Sequence, residues 1–167
     1  MTIRSFLCLA LTLLATGAAT AKEIVRIPAP EGVLPVVVTE PLGNGGNAYS
    51  DFERLDEAFQ RVVKERNWPL KIAAERIGGG VPDYLTEVRI SLQRIRQDIP
   101  GEYRYRAWTL LMIDGKKHDL GIVFASYDYR LGEPMEDVLD KAFLAGANVT
   151  ADKLEPLLFP DLKTKKK

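Results

Sequence analysis

Residues 102 to 129 read EYRYRAWTLLMIDGKKHDLGIVFASYDY, two β-rich runs joined by a turn. Glu102 to Ile113 and Lys117 to Tyr129 are dense in aromatic and β-branched residues, which suit a pleated, half-buried surface. Between them Asp114-Gly115 is the dipeptide favoured in a two-residue hairpin loop, because both central positions need a positive φ. Upstream, Pro100-Gly101 suits the middle of a type II turn. Before that turn, Thr86, Val88, Ile90 and Leu92 alternate with Glu87, Arg89 and Ser91, the pattern of a strand with one wet face. These three runs predict an antiparallel meander.

Register follows from the turn. With a two-residue loop, odd positions of the first hairpin strand share a face with even positions of the second. Tyr105, Ala107, Thr109 and Leu111 then join Leu120, Ile122 and Phe124 on the side expected under the helices. The opposite face collects Arg104, Arg106 and Trp108 across from Gly121, Val123, Ala125 and Tyr127. Large side chains opposite glycine and alanine leave room beside the guanidinium forks and the indole, which can stack on a ring or grip a carboxylate. Arg104, Arg106, Trp108 and Tyr127 are therefore the candidate binding residues. The bland reading of the same face is that Trp108 covers Gly121 while the arginines pair with Glu87 or Glu102.

Working outward, Val33 to Glu40 is the first strand, and Pro35, which cannot donate to a ladder, pushes its start toward a sheet edge. Pro41 to Ala48 forms a glycine-rich connector that lacks the Lys-Ser or Lys-Thr pair of a phosphate loop. A helix over about 51 to 66 opens with Ser50 and Glu53 as a capping box. Its apolar stripe is Phe52, Leu55, Phe59, Val62 and Val63, and Asn67 with Pro69 marks its stop. Leu70 to Ile77 is the next strand, closed by Gly78-Gly79-Gly80. Pro134 suits the first turn of a last helix, whose stripe is Met135, Val138, Leu139, Ala142 and Phe143. Gly146 and Pro156 leave its end open.

The order strand, helix, four strands, helix predicts an α+β, two-layer sandwich. A mainly antiparallel sheet of about four or five strands carries two amphipathic helices on one face, and the sheet edge is Val33 to Glu40 or Leu70 to Ile77. No motif assigns a family.

The chain opens as a secretory leader. Arg4 supplies a positive start, Phe6 to Leu14 is apolar, and Ala19-Thr20-Ala21 is a small-residue cleavage site ahead of Lys22. That apolar run is shorter than the roughly 20 residues a spanning helix needs. The expected organisation is a signal peptide at 1–21, an extended segment at 22–32, a single α+β domain at 33–160 and a disordered basic tail at 161–167. The expected destination is the periplasm or the exterior, with no transmembrane segment after cleavage.

Composition removes several chemistries. The chain has 23 basic and 23 acidic residues, so it has no general attraction for nucleic acid or an anionic membrane. Its one cysteine, Cys8, lies in the leader, which leaves the exported part without thiol chemistry or disulfides. Cys8 follows Leu7 with little apolar sequence before it, unlike a lipid-anchor cysteine. The one histidine, His118, neighbours Asp119, but alternation sends the two to opposite faces, and no Gly-x-Ser-x-Gly elbow is present. Scattered carboxylates lack the spacing of zinc or calcium sites. Asp83, Glu87, Asp98 and Glu102 gather near one turn region, where a pair could do acid-base work on a glycan. Asn148-Val149-Thr150 matches a glycosylation sequon within a helical pattern.

No catalytic residue, metal ligand or cofactor site is expected. The leading expectation is an exported, non-catalytic domain that binds an envelope protein or an anionic glycan. Two alternatives stand beside it, a soluble subunit of an envelope transport or assembly machine and a carboxylate-dependent hydrolase of envelope glycan.

Overall fold

The β-branched run Val36-Val37-Val38 forms the middle of the sheet rather than its rim. In this computed structural model, residues 25–39, 48–77 and 82–160 are described, apart from the side chains of 48–50 and 94–99. The leader, most of the glycine-rich connector, Gly78-Gly79-Gly80 and the basic tail lie outside the described residues.

The elements in chain order are β1 (Arg26–Ile27), β2 (Val33–Thr39), α1 (Ala48–Glu65), β3 (Lys71–Arg76), β4 (Asp83–Tyr84), β5 (Glu87–Ile99), β6 (Glu102–Ile113), β7 (Lys116–Asp128) and α2 (Met135–Leu158). Five strands form one sheet in the order β3-β2-β5-β6-β7, and β1 pairs with β4 in a separate two-stranded sheet. The α+β architecture is as read from the sequence, with one correction to its pairing. The sheet is mixed: β2 runs parallel to both β3 and β5, while β5-β6 and β6-β7 are antiparallel. The crossover β2-α1-β3 produces the first parallel pair, since a helix carries the chain back to start a neighbouring strand in the same direction.

Of the two strands proposed as edges, Lys71–Arg76 is one and Val33–Thr39 is not. Pro35 is accommodated because the ladder between β2 and β5 starts one residue later, at Val36 paired with Val88. The other edge is β7. Glu87 also departs from expectation, being buried rather than on a wet face. Its carboxylate accepts from the Tyr84 amide at 3.0 Å and from Arg89 Nε at 2.5 Å. Arg89 also pairs with Asp83, and the Tyr84 hydroxyl donates to Glu75 at 3.2 Å. Burial pushes the Glu87 carboxyl above its ordinary range, and the Tyr84 amide opposes that shift. This network ties the β1-β4 piece to one end of the sheet face away from the helices, where Val37, Tyr84 and Met112 are buried.

The helices cover the other face. Leu55, Phe59, Val62 and Val63 of α1 enter the core as their spacing predicts, with Phe52 partly buried. The helix begins at Ala48, so Ser50 lies inside its first turn instead of capping it. Asn67 ends the helix in a left-handed conformation, φ 53°. In α2 the expected stripe shifts. Val138, Ala142 and Phe143 are buried, but Met135 is exposed and Leu139 half-buried, and the stripe continues through Gly146, Ala147, Thr150, Ala151 and Leu154. Arg66 joins the helices through Asp152 at 2.8 Å and Glu155 at 3.0 Å, and Arg54 pairs with Asp140.

Gly146 sets the distance between α2 and the sheet. A Cβ there would lie 2.3 Å from Tyr105 Cγ, in hard overlap with a ring that is buried and meets Phe143 edge-on with centroids 6.0 Å apart. Gly146→Ala is expected to lower stability by about 1–3 kcal/mol through overpacking, since neither the ring nor the helix backbone has room to yield. Urea denaturation checks this, and an unchanged midpoint would show that α2 can lift off the ring freely.

Candidate functional site

The hairpin turn forms as its residues dictate. Asp114 and Gly115 take φ 49° and 75°, and Ile113 pairs with Lys116 across the two-residue loop. The expected register holds through Leu111 with His118 and Leu110 with Asp119. It then breaks, because Thr109 pairs with Gly121 and β7 gains one extra residue at Leu120. This β-bulge puts Gly121 at φ 69°. Asp119 Oδ1 accepts from the Gly121 amide at 2.9 Å and from Trp108 Nε1 at 2.8 Å, and Lys153 of α2 donates to the Leu120 carbonyl at 2.9 Å and the Ile122 carbonyl at 3.3 Å.

One inserted residue exchanges the faces of all that follows. Val123 and Ala125, expected on the open face, lie in the helix-side core as cross-strand partners of Ala107 and Tyr105. Ile122 and Phe124, expected under the helices, are 48% and 51% exposed. Leaving these two half in water forgoes about 1 kcal/mol each. Placing Phe124 beside Tyr105 under a helix already in contact with that ring would cost more. The bulged register is the cheaper arrangement.

Arg104, Arg106 and Trp108 stand on the open face as expected, and Tyr127 does not join them. The Tyr127 hydroxyl donates to Glu133 at 2.9 Å and Lys141 of α2 lies 5.3 Å from its ring centroid, which puts Tyr127 on the helix side. Its place is taken by Ile122 and Phe124. Across the strands Trp108 pairs with Ile122, Arg106 with Phe124, and Arg104 with Ser126. Arg104 donates to both Glu102 oxygens at 3.2 Å and sets its guanidinium 5.8 Å from the Phe124 centroid, so part of the bland reading holds for this arginine. Arg106 is exposed and has no ion pair among the described residues. Beside the indole, Gln93, Trp108, Asp119, Leu120, Gly121 and Ile122 line a shallow depression of about 500 Å³.

The remaining candidates separate. His118 is half-buried opposite Leu111 while Asp119 is exposed, and the two point apart as alternation requires. Asp83 and Glu87 meet through Arg89, whereas Glu102 sits with Arg104 near the far end of the sheet. Among the described residues no group of three or more His, Cys, Asp and Glu side chains could hold a metal ion. Nor is any described helix long and apolar enough to cross a membrane.

Sequence reasoning passed over Ile122, Phe124 and Asp119. The available signal was Gly121 inside an apolar run, which marks a bulge or a close backbone approach.

No family model matches the chain, and no curated protein matches it in sequence. Its fold is similar to a crystal structure of an uncharacterized protein, with a TM-score of 0.53 and 12% identity over 78% of this chain and 96% of that one. Lower similarity extends to a PelC dodecamer from Paraburkholderia phytofirmans, TM-score 0.43 and 9% identity over 77% and 90% of the two chains. It extends also to a hypothetical protein from Chlamydia trachomatis, TM-score 0.42 and 13% identity over 79% and 100%. The first likeness supports the α+β fold alone.

The Trp108 and Gly121 bonds hold the Asp119 carboxyl below its ordinary range, the indole bond contributing most. A carboxylate with a depressed folded pKa contributes fully above its unfolded value and loses that contribution as pH falls through the folded value. The Trp108 indole N–H resonance should therefore titrate below the ordinary aspartate value in the native chain and not titrate in Asp119→Asn. Movement at the ordinary aspartate value would break the proposed link. Gly121→Ala should cost about 1–2 kcal/mol in urea unfolding, because the left-handed backbone there penalises a Cβ even though the space is open.

Proposed function

We propose that this chain is an exported protein of the cell envelope that works by binding a protein partner through the open face of β6 and β7, without catalysing a reaction. The leader read in residues 1–21 supports export. The observation that carries the binding is the bulge, which turns Ile122 and Phe124 outward beside Trp108, three large apolar side chains in one exposed patch. Patches of this kind, with tryptophan and arginine at their centre, characterise interaction surfaces.

A protein fits this face better than an anionic glycan. Trp108, Ile122 and Phe124 supply apolar contact that a polyanion does not use, and Glu102 already engages Arg104. A soluble subunit of an envelope transport or assembly machine is one form of the same reading. For the hydrolase reading, Asp83 and Glu87 meet on Arg89 and Glu102 holds Arg104, ion pairs that give these carboxylates a structural role, and the Asp98 side chain lies outside the described residues.

The test is affinity capture from native envelope with the tagged chain and with a Trp108→Ala, Ile122→Ser, Phe124→Ser variant whose fold is verified by circular dichroism. One protein should be enriched reproducibly by the native chain and lost with the variant, because a central aromatic anchor contributes about 2 kcal/mol or more, roughly thirtyfold in Kd. Recovery of the chain alone, identical capture by the variant, or retention by protein-free glycan would overturn the proposal.

A further inference from the structure

Resting on that binding face, we infer that the buried Tyr105 is its positioning residue. The ring holds β7 in the bulged register that turns Ile122 and Phe124 outward, and without it the strand slips into a second register in which both lie in the core. The two registers share the hairpin from Asp114-Gly115 as far as the pair Leu110 with Asp119. In the first, Leu120 is the extra residue, and Val123 and Ala125 stand opposite Ala107 and Tyr105. In the second, Leu120 pairs with Thr109 and every later residue of β7 moves by one. Ile122 then stands opposite Ala107 and Phe124 opposite Tyr105, both on the helix side.

Local chemistry does not choose between them. Ile122, Val123, Phe124 and Ala125 are all apolar, and a glycine at 121 serves either as the bulge residue at φ 69° or as an ordinary strand residue. The connection to α2 does not choose either, because the slip adds one residue of slack to it. Its turn lies at the surface, with Leu131 fully exposed, Gly132 at φ 89° and the Glu133 amide donating to the Arg130 carbonyl at 3.1 Å. The second register gives up the Asp119 bond to the Gly121 amide and the Tyr127 bond to Glu133. In exchange it buries two large apolar side chains that are now half exposed.

Volume decides. Tyr105 is fully buried, with Gly146 against its ring and Phe143 at its edge. A second ring at the same level of the neighbouring strand has no space until the first is gone. Emptying the Tyr105 position reverses the balance. A cavity beneath α2 forfeits the contacts of every side chain around it, and Phe124, directly across the strand in the second register, is the group that fills it. Two packings of one sequence separated by so small a margin are the basis of a two-state element, and here the state with the ring in place is the one that presents the binding face.

The experiment compares the full chain with Tyr105→Phe, with Tyr105→Ala, and with Tyr105→Ala combined with deletion of Leu120. Register is read by NMR, from the residue that faces Thr109 across the strands, and by hydroxyl-radical footprinting of Phe124 and Tyr127. Binding is read by the envelope capture. Tyr105→Phe keeps the ring and should keep Gly121 opposite Thr109, Phe124 reactive and capture intact. Tyr105→Ala should bring Leu120 opposite Thr109, protect Phe124 and expose Tyr127. It should also lose capture, roughly thirtyfold in Kd as for the patch variant, although Trp108, Ile122 and Phe124 are unchanged. Deleting Leu120 in that background removes the residue the slip requires, so Gly121 returns to Thr109, Phe124 to water, and capture is regained. A loss of stability alone would not be repaired by a second lesion. Should Tyr105→Ala fail to fold, deletion of Leu120 from the otherwise native chain tests the same point. The bulge should vanish while Phe124 stays reactive and capture is kept, whereas a bulge formed at another residue with Phe124 protected overturns the inference. It is overturned equally if Tyr105→Ala keeps Gly121 opposite Thr109, or if deletion of Leu120 does not restore the lost capture. If Tyr105→Ala slips as expected and capture persists, control of the register by Tyr105 stands and the face reading fails.

Discussion

The close seat of α2 on the sheet is the constraint from which the rest follows. Gly146 lies against the Tyr105 ring with no space for a Cβ, and Ala142, Ala147 and Ala151 continue the small-residue side of the helix. A helix this near leaves little height above the sheet. Tyr105 and Phe143 take up what there is, so the strand beside Tyr105 has to present small side chains at the same level. Val123 and Ala125 meet that requirement, whereas Ile122 and Phe124 do not. Packing density in the interior thereby selects between two registers of one strand.

The bulge is the device that satisfies the constraint, and it is secured from both sides. On the open face Asp119 holds the Gly121 amide and the Trp108 indole together, while on the helix side Lys153 reaches over the edge to two carbonyls. The same residues thus orient the indole, cover part of an otherwise open edge and determine which apolar residues face water. A local irregularity in one strand links the core to the surface proposed for binding. The far end of that face is closed differently, by the Tyr84, Glu87 and Arg89 network under the small parallel sheet. Among the described residues, the stretch around Trp108 and Phe124 stays open.

Much of this was legible in the residues. Asp114-Gly115 has its positive φ pair, Pro100-Gly101 turns with Gly101 at φ 87°, and the helix stripe through Leu55, Phe59 and Val62 is buried where its period puts it. Arg104, Arg106 and Trp108 share a face because alternation along an uninterrupted β6 is a local property. Tyr127 was misplaced because its face depends on a count taken through Gly121. In Ile122-Val123-Phe124-Ala125 every residue is apolar, so no binary pattern says which two belong inside. Glu87 looked like a wet position since its partners, Tyr84 and Arg89, become a burial site only when β4 folds over β5. Pro35 suggested an edge because the sequence does not reveal that the β5 ladder begins one residue beyond it.

The sequence by itself determined the two helices, the five strands of the main sheet, their order and the turns between them, though not the short pair β1 and β4, because φ preferences and hydrophobic period act over a few residues at a time. The tertiary structure alone decided that β2 lies inside a mixed sheet, that β7 carries an extra residue, and that two large apolar side chains face water. Those outcomes rest on volume and hydrogen-bond partners contributed by segments distant in the chain. Tyr105 and Gly146, or Leu120 and Lys153, constrain one another only once the helix is laid on the sheet.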